Sequence, residues 1–174
     1  MITEQQCIQE LQKLNNYDYD LASSGIEPLE LLARMRQCDG NSAEKFEISE
    51  KIKKIASEIP SDDLQSTAMC AYALSEAASL IANGYALNEI SQLMADRILR
   101  SDKSLSPDCC ACSSAMLMAL QNSHLPPYMR PAYIGHARIY AKRAVESGGL
   151  SPLATEMLKI SIKKLIDARR KYQW

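Results

Sequence analysis

The chain is poor in aromatic residues, histidine and glycine: among 174 residues it has one Phe, one Trp, two His and six Gly, with 6% aromatic content. None of its apolar runs is long enough to cross a bilayer. Few aromatics beside abundant Ala, Leu, Glu and Lys favour helices over sheets. With 47% hydrophobic residues the chain can still bury a sizeable core.

The first residues, Met1 to Gln6, lack the basic and apolar regions of a signal peptide. We therefore expect a cytoplasmic, reducing location, although a dedicated secretion machine could export such a chain into a host without this signal. In a reducing compartment the six cysteines are expected to be free thiols.

Several catalytic motifs are also missing from the sequence. It contains no Glu-x-x-His pair, no glycine-rich phosphate loop, no His-Glu-x-x-His and no Gly-x-Ser-x-Gly. Two histidines leave few options for general-base catalysis. These absences favour a protein that is not an enzyme and needs no cofactor.

Helical periodicity and helix start signals are present throughout the chain. Thr3-x-x-Gln6 reads as a capping box, and Asn41 is placed to cap the third helix. Gly84 is placed to end the helix that precedes it in a left-handed conformation. We predict an all-α fold of about eight helices.

A helix start recurs at a fixed interval. Ser61, Ser106 and Ser151 lie 45 residues apart, and Leu105-Ser106-Pro107 recurs as Leu150-Ser151-Pro152. This interval is the length of a helical-hairpin repeat, in which each hairpin buries its apolar face against the next.

From this interval we predict N-terminal helices over residues 1–60 and hairpin repeats of about 45 residues over 61–174, within one compact domain. Stacked antiparallel hairpins resemble, in architecture alone, short α-solenoids of the HEAT or tetratricopeptide-like kind. A closed helical bundle is the alternative.

Three cysteines cluster at one predicted helix start, in Ser106-Pro107-Asp108-Cys109-Cys110-Ala111-Cys112. Cys109 and Cys112 have the spacing of dithiol redox sites, where a helix N-terminus stabilises a thiolate. Together with His124 or His136 the cluster offers too few ligands for a structural zinc site, so we predict no metal. The remaining interpretation is that small thiols pack between close helices.

Arrays of this type generally bind another protein or peptide along their successive second helices. Here those helices cover residues 87–100 and 131–147. We therefore predict partner contact through polar residues of both: Gln92, Asp96, Arg97, Tyr133, His136, Tyr140 and Arg143. Tyr133, His136 and Tyr140 are expected to share one helical face.

The predicted function is a non-enzymatic protein–protein interaction module of the adaptor, chaperone, toxin-neutralising or secreted effector type. A thiol–disulfide oxidoreductase using Cys109 and Cys112 is the alternative, and a homodimer is a third possibility.

Charge is distributed unevenly although the formal net charge is −1. Residues 124–174 carry 10 basic and 3 acidic side chains, whereas residues 1–63 carry 7 basic and 13 acidic ones. The sequence pI of about 6.1 is low for a nucleic-acid-binding protein, and the acidic N-terminal part can face the basic end. Nucleic acid is therefore not an expected partner.

Overall fold

The computed structural model describes residues 1–38, 40, 42–121 and 125–172. These residues form eight α-helices and no β-strand, which confirms the all-α prediction. The helices are α1 (Glu4–Leu14), α2 (Glu27–Arg36), α3 (Ser42–Glu58), α4 (Leu64–Ala78), α5 (Tyr85–Arg100), α6 (Pro107–Gln121), α7 (Arg130–Ser147) and α8 (Pro152–Tyr172). Short 3-10 segments cover Leu21–Ser23, Asp102–Ser104 and Pro127–Met129.

Side-chain caps start three of these helices where the sequence predicts them. Thr3 and Gln6 form the complete capping box of α1. The Ser106 hydroxyl accepts the backbone N–H of Cys109 at 3.1 Å, and Ser151 accepts that of Ala154 at 3.2 Å. Each hydroxyl thereby satisfies a helix donor that has no partner within the helix.

Two details of the α4 hairpin differ from the prediction. The cap of α4 is Asp63, which accepts the N–H of Ser66 at 3.1 Å, so the helix starts after Ser61 and not at it. The left-handed residue after α4 is Asn83, with φ of 65°, whereas Gly84 has φ of −70°. Glycine is needed at position 84 for space, because a Cβ atom there would lie 2.2 Å from the Ala78 carbonyl oxygen.

Asn41, the predicted cap of the third helix, lies outside the described residues, as does His124.

Helix α6 lies at the centre of the fold. It packs between α4 and α8 on two sides and against α7, while α5 packs on α4 and α8 also contacts α7. Every residue of α6 from Cys109 to Gln121 is buried. Small side chains permit this close approach, since the Ser114 hydroxyl donates to the Ala137 carbonyl at 2.7 Å and bonds the Ser161 hydroxyl.

This order of contacts is consistent with a helical array. First helices α4, α6 and α8 lie side by side, and each second helix packs on the first helix of its own hairpin.

The N-terminal helices pack onto the same body, since α1 contacts α8 and α2 contacts α4. Arg138 of α7 donates to the Ile2 carbonyl at 3.0 and 3.1 Å, and Arg169 of α8 pairs with Glu4 at 3.3 Å. An acidic residue near the start thus meets the basic end of the chain. The helices of residues 1–60 therefore pack against the helices of residues 61–174.

Candidate functional site

The first candidate site, the cysteine pair, lies inside the protein. Cys109 and Cys112 sit in the first turns of α6 and are 3% and 0% exposed. Burial raises the pKa of Cys109 to about 11, despite a 3.7 Å contact with the Ser113 hydroxyl that favours the thiolate. Burial also raises the pKa of Cys112. A redox nucleophile reacts as a thiolate, so this environment acts against the chemistry that the Cys-x-x-Cys spacing allows.

The remaining cysteines lie apart from any ligand cluster. Cys7 and Cys70 are fully buried, Cys38 is half-buried, and all six thiols are free. In the part of the chain that the structure describes, no three His, Cys, Asp or Glu side chains are grouped to hold a metal ion.

The predicted partner-contact residues divide between surface and interior. Asp96 and His136 are exposed, whereas Gln92, Arg97 and Arg143 are half-buried. Tyr133 and Tyr140, at 4% and 0% exposure, do not lie on the surface. Both tyrosines, which were predicted to contact a partner, therefore lie in the interior of the fold.

Periodicity along α7 explains why the tyrosines are buried. Tyr133, Ala137, Tyr140 and Ala144 are spaced by three or four residues and therefore lie on one face, and all four are buried. This face meets α6, where the Ala137 carbonyl accepts the Ser114 hydroxyl. The tyrosines therefore position α7, and only their neighbours reach solvent.

An ion pair holds the end of α7 to the segment after α5. The Arg143 guanidinium contacts both Asp102 carboxylate oxygens, at 3.1 and 3.3 Å, and donates to the Asp102 carbonyl at 3.1 Å. Its hydrogen bonds lower the pKa of the Asp102 carboxyl. Such a two-point contact fixes geometry better than a single bond does.

Two aromatic residues complete this arrangement, which we call the α7 cluster: Asp102, His136, Tyr140 and Arg143. The Arg143 guanidinium lies 5.6 Å from the Tyr140 ring centre, and the His136 ring lies 6.2 Å from it. Burial and the Asp102 carboxylate raise the pKa of the Tyr140 hydroxyl. Asp102 is the member that sequence reasoning missed, because a lone aspartate in a polar loop gives no sign of its partner.

Helix α5 approaches the same region through Asp96. Burial, and next the Asp96 carboxylate, raise the pKa of Tyr133 of α7. Neither Gln92 nor Arg97 forms a hydrogen bond or ion pair to α7 among the described residues. The structure thus places Asp96 within electrostatic range of Tyr133, and it brings His136, Tyr140 and Arg143 together with Asp102.

Leu93 is an exposed apolar residue within the predicted surface. The periodicity of α5 fits either Leu93 or Met94 as an inward residue, and the structure buries Met94 at 3% and exposes Leu93 at 66%. Tyr85, at the start of α5, is 61% exposed. A single exposed leucine is ordinary on a protein surface, so Leu93 is a candidate contact residue through its position beside Gln92, Asp96 and Arg97.

Comparison of the chain with protein-family models, with curated proteins and with solved structures gave no match.

Among the helices that the structure describes, none combines the length and the apolar character that crossing a membrane requires.

Proposed function

We propose that this protein is a non-enzymatic interaction module that binds a partner protein or peptide along the surface of α5 and α7. The observation that supports this most is Leu93, which is 66% exposed and stands among polar residues of α5. Binding energy in interfaces concentrates in a few anchor residues that become buried, while the surrounding contacts exclude water. Leu93 is the anchor in this proposal.

The second support is the rigidity of the neighbouring α7 cluster. Tyr140 is fully buried, and Arg143 is held at both Asp102 oxygens, so this region has little freedom to lose on binding. A surface that is ordered in advance binds at a lower entropic cost. His136, exposed beside Tyr140, gives the same surface a polar contact.

The pattern of contacts between the helices supports a solenoid-like arrangement. First helices in adjacent hairpins touch each other, as α4, α6 and α8 do, in solenoid-like arrays. Within such an array α5 and α7 are the successive second helices. An adaptor, a chaperone, a toxin-neutralising protein and a secreted effector would all use this surface in the same way.

The experiment starts from the partner, captured with a photo-crosslinking amino acid at position 93 in cells that make the protein naturally. Affinity for the purified partner is then measured for the native chain and for Leu93→Asp. We expect Leu93→Asp to weaken binding at least about tenfold, because it places a charge where the apolar side chain would be buried in the complex.

The control is Ile8→Asp on α1, where Ile8 is 43% exposed. This variant introduces the same charge away from α5 and α7 and should bind as the native chain does. Equal affinities for the two variants would contradict the proposal. Cross-linking of position 93 to a second copy of the chain, with dimers seen by sedimentation, would identify the homodimer instead.

A further inference from the structure

Gly135 stands inside the first half of α7, and the fold gives no reason for a glycine there. Glycine is a poor helix former, because its backbone loses the most freedom on folding. A Cβ atom at this position would meet nothing within 4 Å, and the backbone φ of Gly135 is not positive. Neither close packing nor a strained backbone therefore requires this residue.

Open space is what the glycine provides. Gly135 lines a cavity of about 320 Å³ together with Ile134, Pro131 and Tyr172, at the N-terminal half of α7. This volume is at the lower end of the range for small-molecule sites. The α7 lining residues of the cavity lie on a different side of the helix from His136 and Arg143, so it is separate from the surface proposed above.

Two arginines give the cavity a positive charge. Arg130 and Arg138 both line it and are eight residues apart, about two turns along α7. Arg130 donates through Nε to the Gln121 carbonyl at 3.2 Å, and its guanidinium lies 4.7 Å from the Tyr172 ring centre. Among the described residues no carboxylate forms an ion pair with Arg130.

Arg138 adds a second guanidinium to the lining of the cavity and donates to the Ile2 carbonyl at 3.0 and 3.1 Å. Burial and the nearby Arg169 lower the pKa of Arg138, because both disfavour another positive charge there. Apolar walls together with a cation of this kind are suited to a ligand that has one charged end.

We propose that this cavity binds a small carboxylic acid with an apolar body. The carboxylate pairs with the Arg130 guanidinium, whose flat fork can contact both oxygens. The apolar body lies over Gly135, against Ile134 and Pro131. This site goes beyond the proposed partner surface and does not depend on it.

The test uses 4-phenylbutyrate as the probe and 4-phenylbutyramide as its neutral counterpart, with both affinities measured by calorimetry. We expect saturable binding of the acid, and about tenfold weaker binding of the amide, because the amide lacks the charge that Arg130 recognises. Arg130→Gln should reduce the affinity for the acid about tenfold and leave that for the amide unchanged. Failure of the acid to bind the native chain would overturn the proposal.

Two further variants separate cavity binding from non-specific attraction. Gly135→Leu extends a side chain into the open space, where a Cβ atom meets nothing within 4 Å, and should abolish binding of both compounds while thermal unfolding shows a folded protein. Arg170→Gln removes an exposed charge of α8 outside this cavity and should leave binding unchanged. Unaltered binding in folded Gly135→Leu, or an equal loss in Arg170→Gln, would also refute the site.

Discussion

High pH should unfold this protein, because its buried thiols ionise more easily when the chain unfolds. Burial raises the pKa of Cys7 and Cys109 to about 11 and that of Cys70 to about 12, and it raises the pKa of Cys112 as well. An unfolded cysteine has a pKa of about 8.5. A raised folded pKa contributes stability that is complete below about pH 8.5 and is lost as the pH rises towards the folded value.

The size of the effect follows from these values. At pH 10 each such thiol favours the unfolded chain by about 2 kcal/mol, and four of them by about 8 kcal/mol. Domain stabilities are about 5–15 kcal/mol, so a loss of this size removes most of the stability. Above about pH 9 the slope approaches about 1.4 kcal/mol per pH unit for each thiol.

Urea unfolding followed by circular dichroism, with a reductant present, at pH 7, 8, 9 and 10 measures this loss. Cys109→Ala should flatten the pH slope by about 1.4 kcal/mol per pH unit at the alkaline end, whatever its stability at pH 7. The same slope in Cys109→Ala and the native chain would refute a raised pKa at Cys109. That outcome would return attention to the oxidoreductase alternative.

Two pairs of substitutions test the local geometry by urea unfolding. Gly84→Ala should destabilise the fold by about 2 kcal/mol, because its Cβ would collide with the Ala78 carbonyl. Gly135→Ala, whose Cβ meets nothing, should stabilise it by up to about 1 kcal/mol. Equal effects of the two substitutions would contradict the difference in free space between the two positions. Asp63→Ala should lower the free energy of unfolding by about 1 kcal/mol through the lost cap, and Ser61→Ala should lower it by less than about 0.5 kcal/mol. The reverse order would place the start of α4 at Ser61.

Helix positions could be predicted well where the signal is local. The Thr3 capping box and the hydroxyls of Ser106 and Ser151 act within four residues of sequence, so their roles are readable without a structure. Near the start of α4, Ser61 and Asp63 are both good cap residues and lie two positions apart. Only the packing of α4 decides between them.

Burial of individual residues was harder to predict, because it depends on where neighbouring helices lie. Leu93 and Met94 are adjacent and both apolar, and the placement of α5 on α4 selects Met94 for the interior. Tyr133 and Tyr140 have a polar end and an apolar body, so either environment suits their sequence pattern. Contact of α7 with α6 buries both.

The candidate site was only partly predictable for the same reason. Arg143 stands out as a charged residue of α7, but its partner Asp102 is 41 residues earlier in a polar loop. Nothing local links the two. The cavity over Gly135 also combines α7 with Tyr172, and the only sequence signal for it is a glycine inside a helix.

The docking of α1 on α8 sets an order of events during synthesis. Glu4 and Arg169 are 165 residues apart, so α1 leaves the ribosome long before its partner exists. At ordinary translation rates this interval is on the order of ten to thirty seconds. Ile2 and Cys7, buried in the finished protein, remain in water for that time. Helix α1 is therefore made well before α8 and is among the last helices to be protected from proteases and from association with other nascent chains.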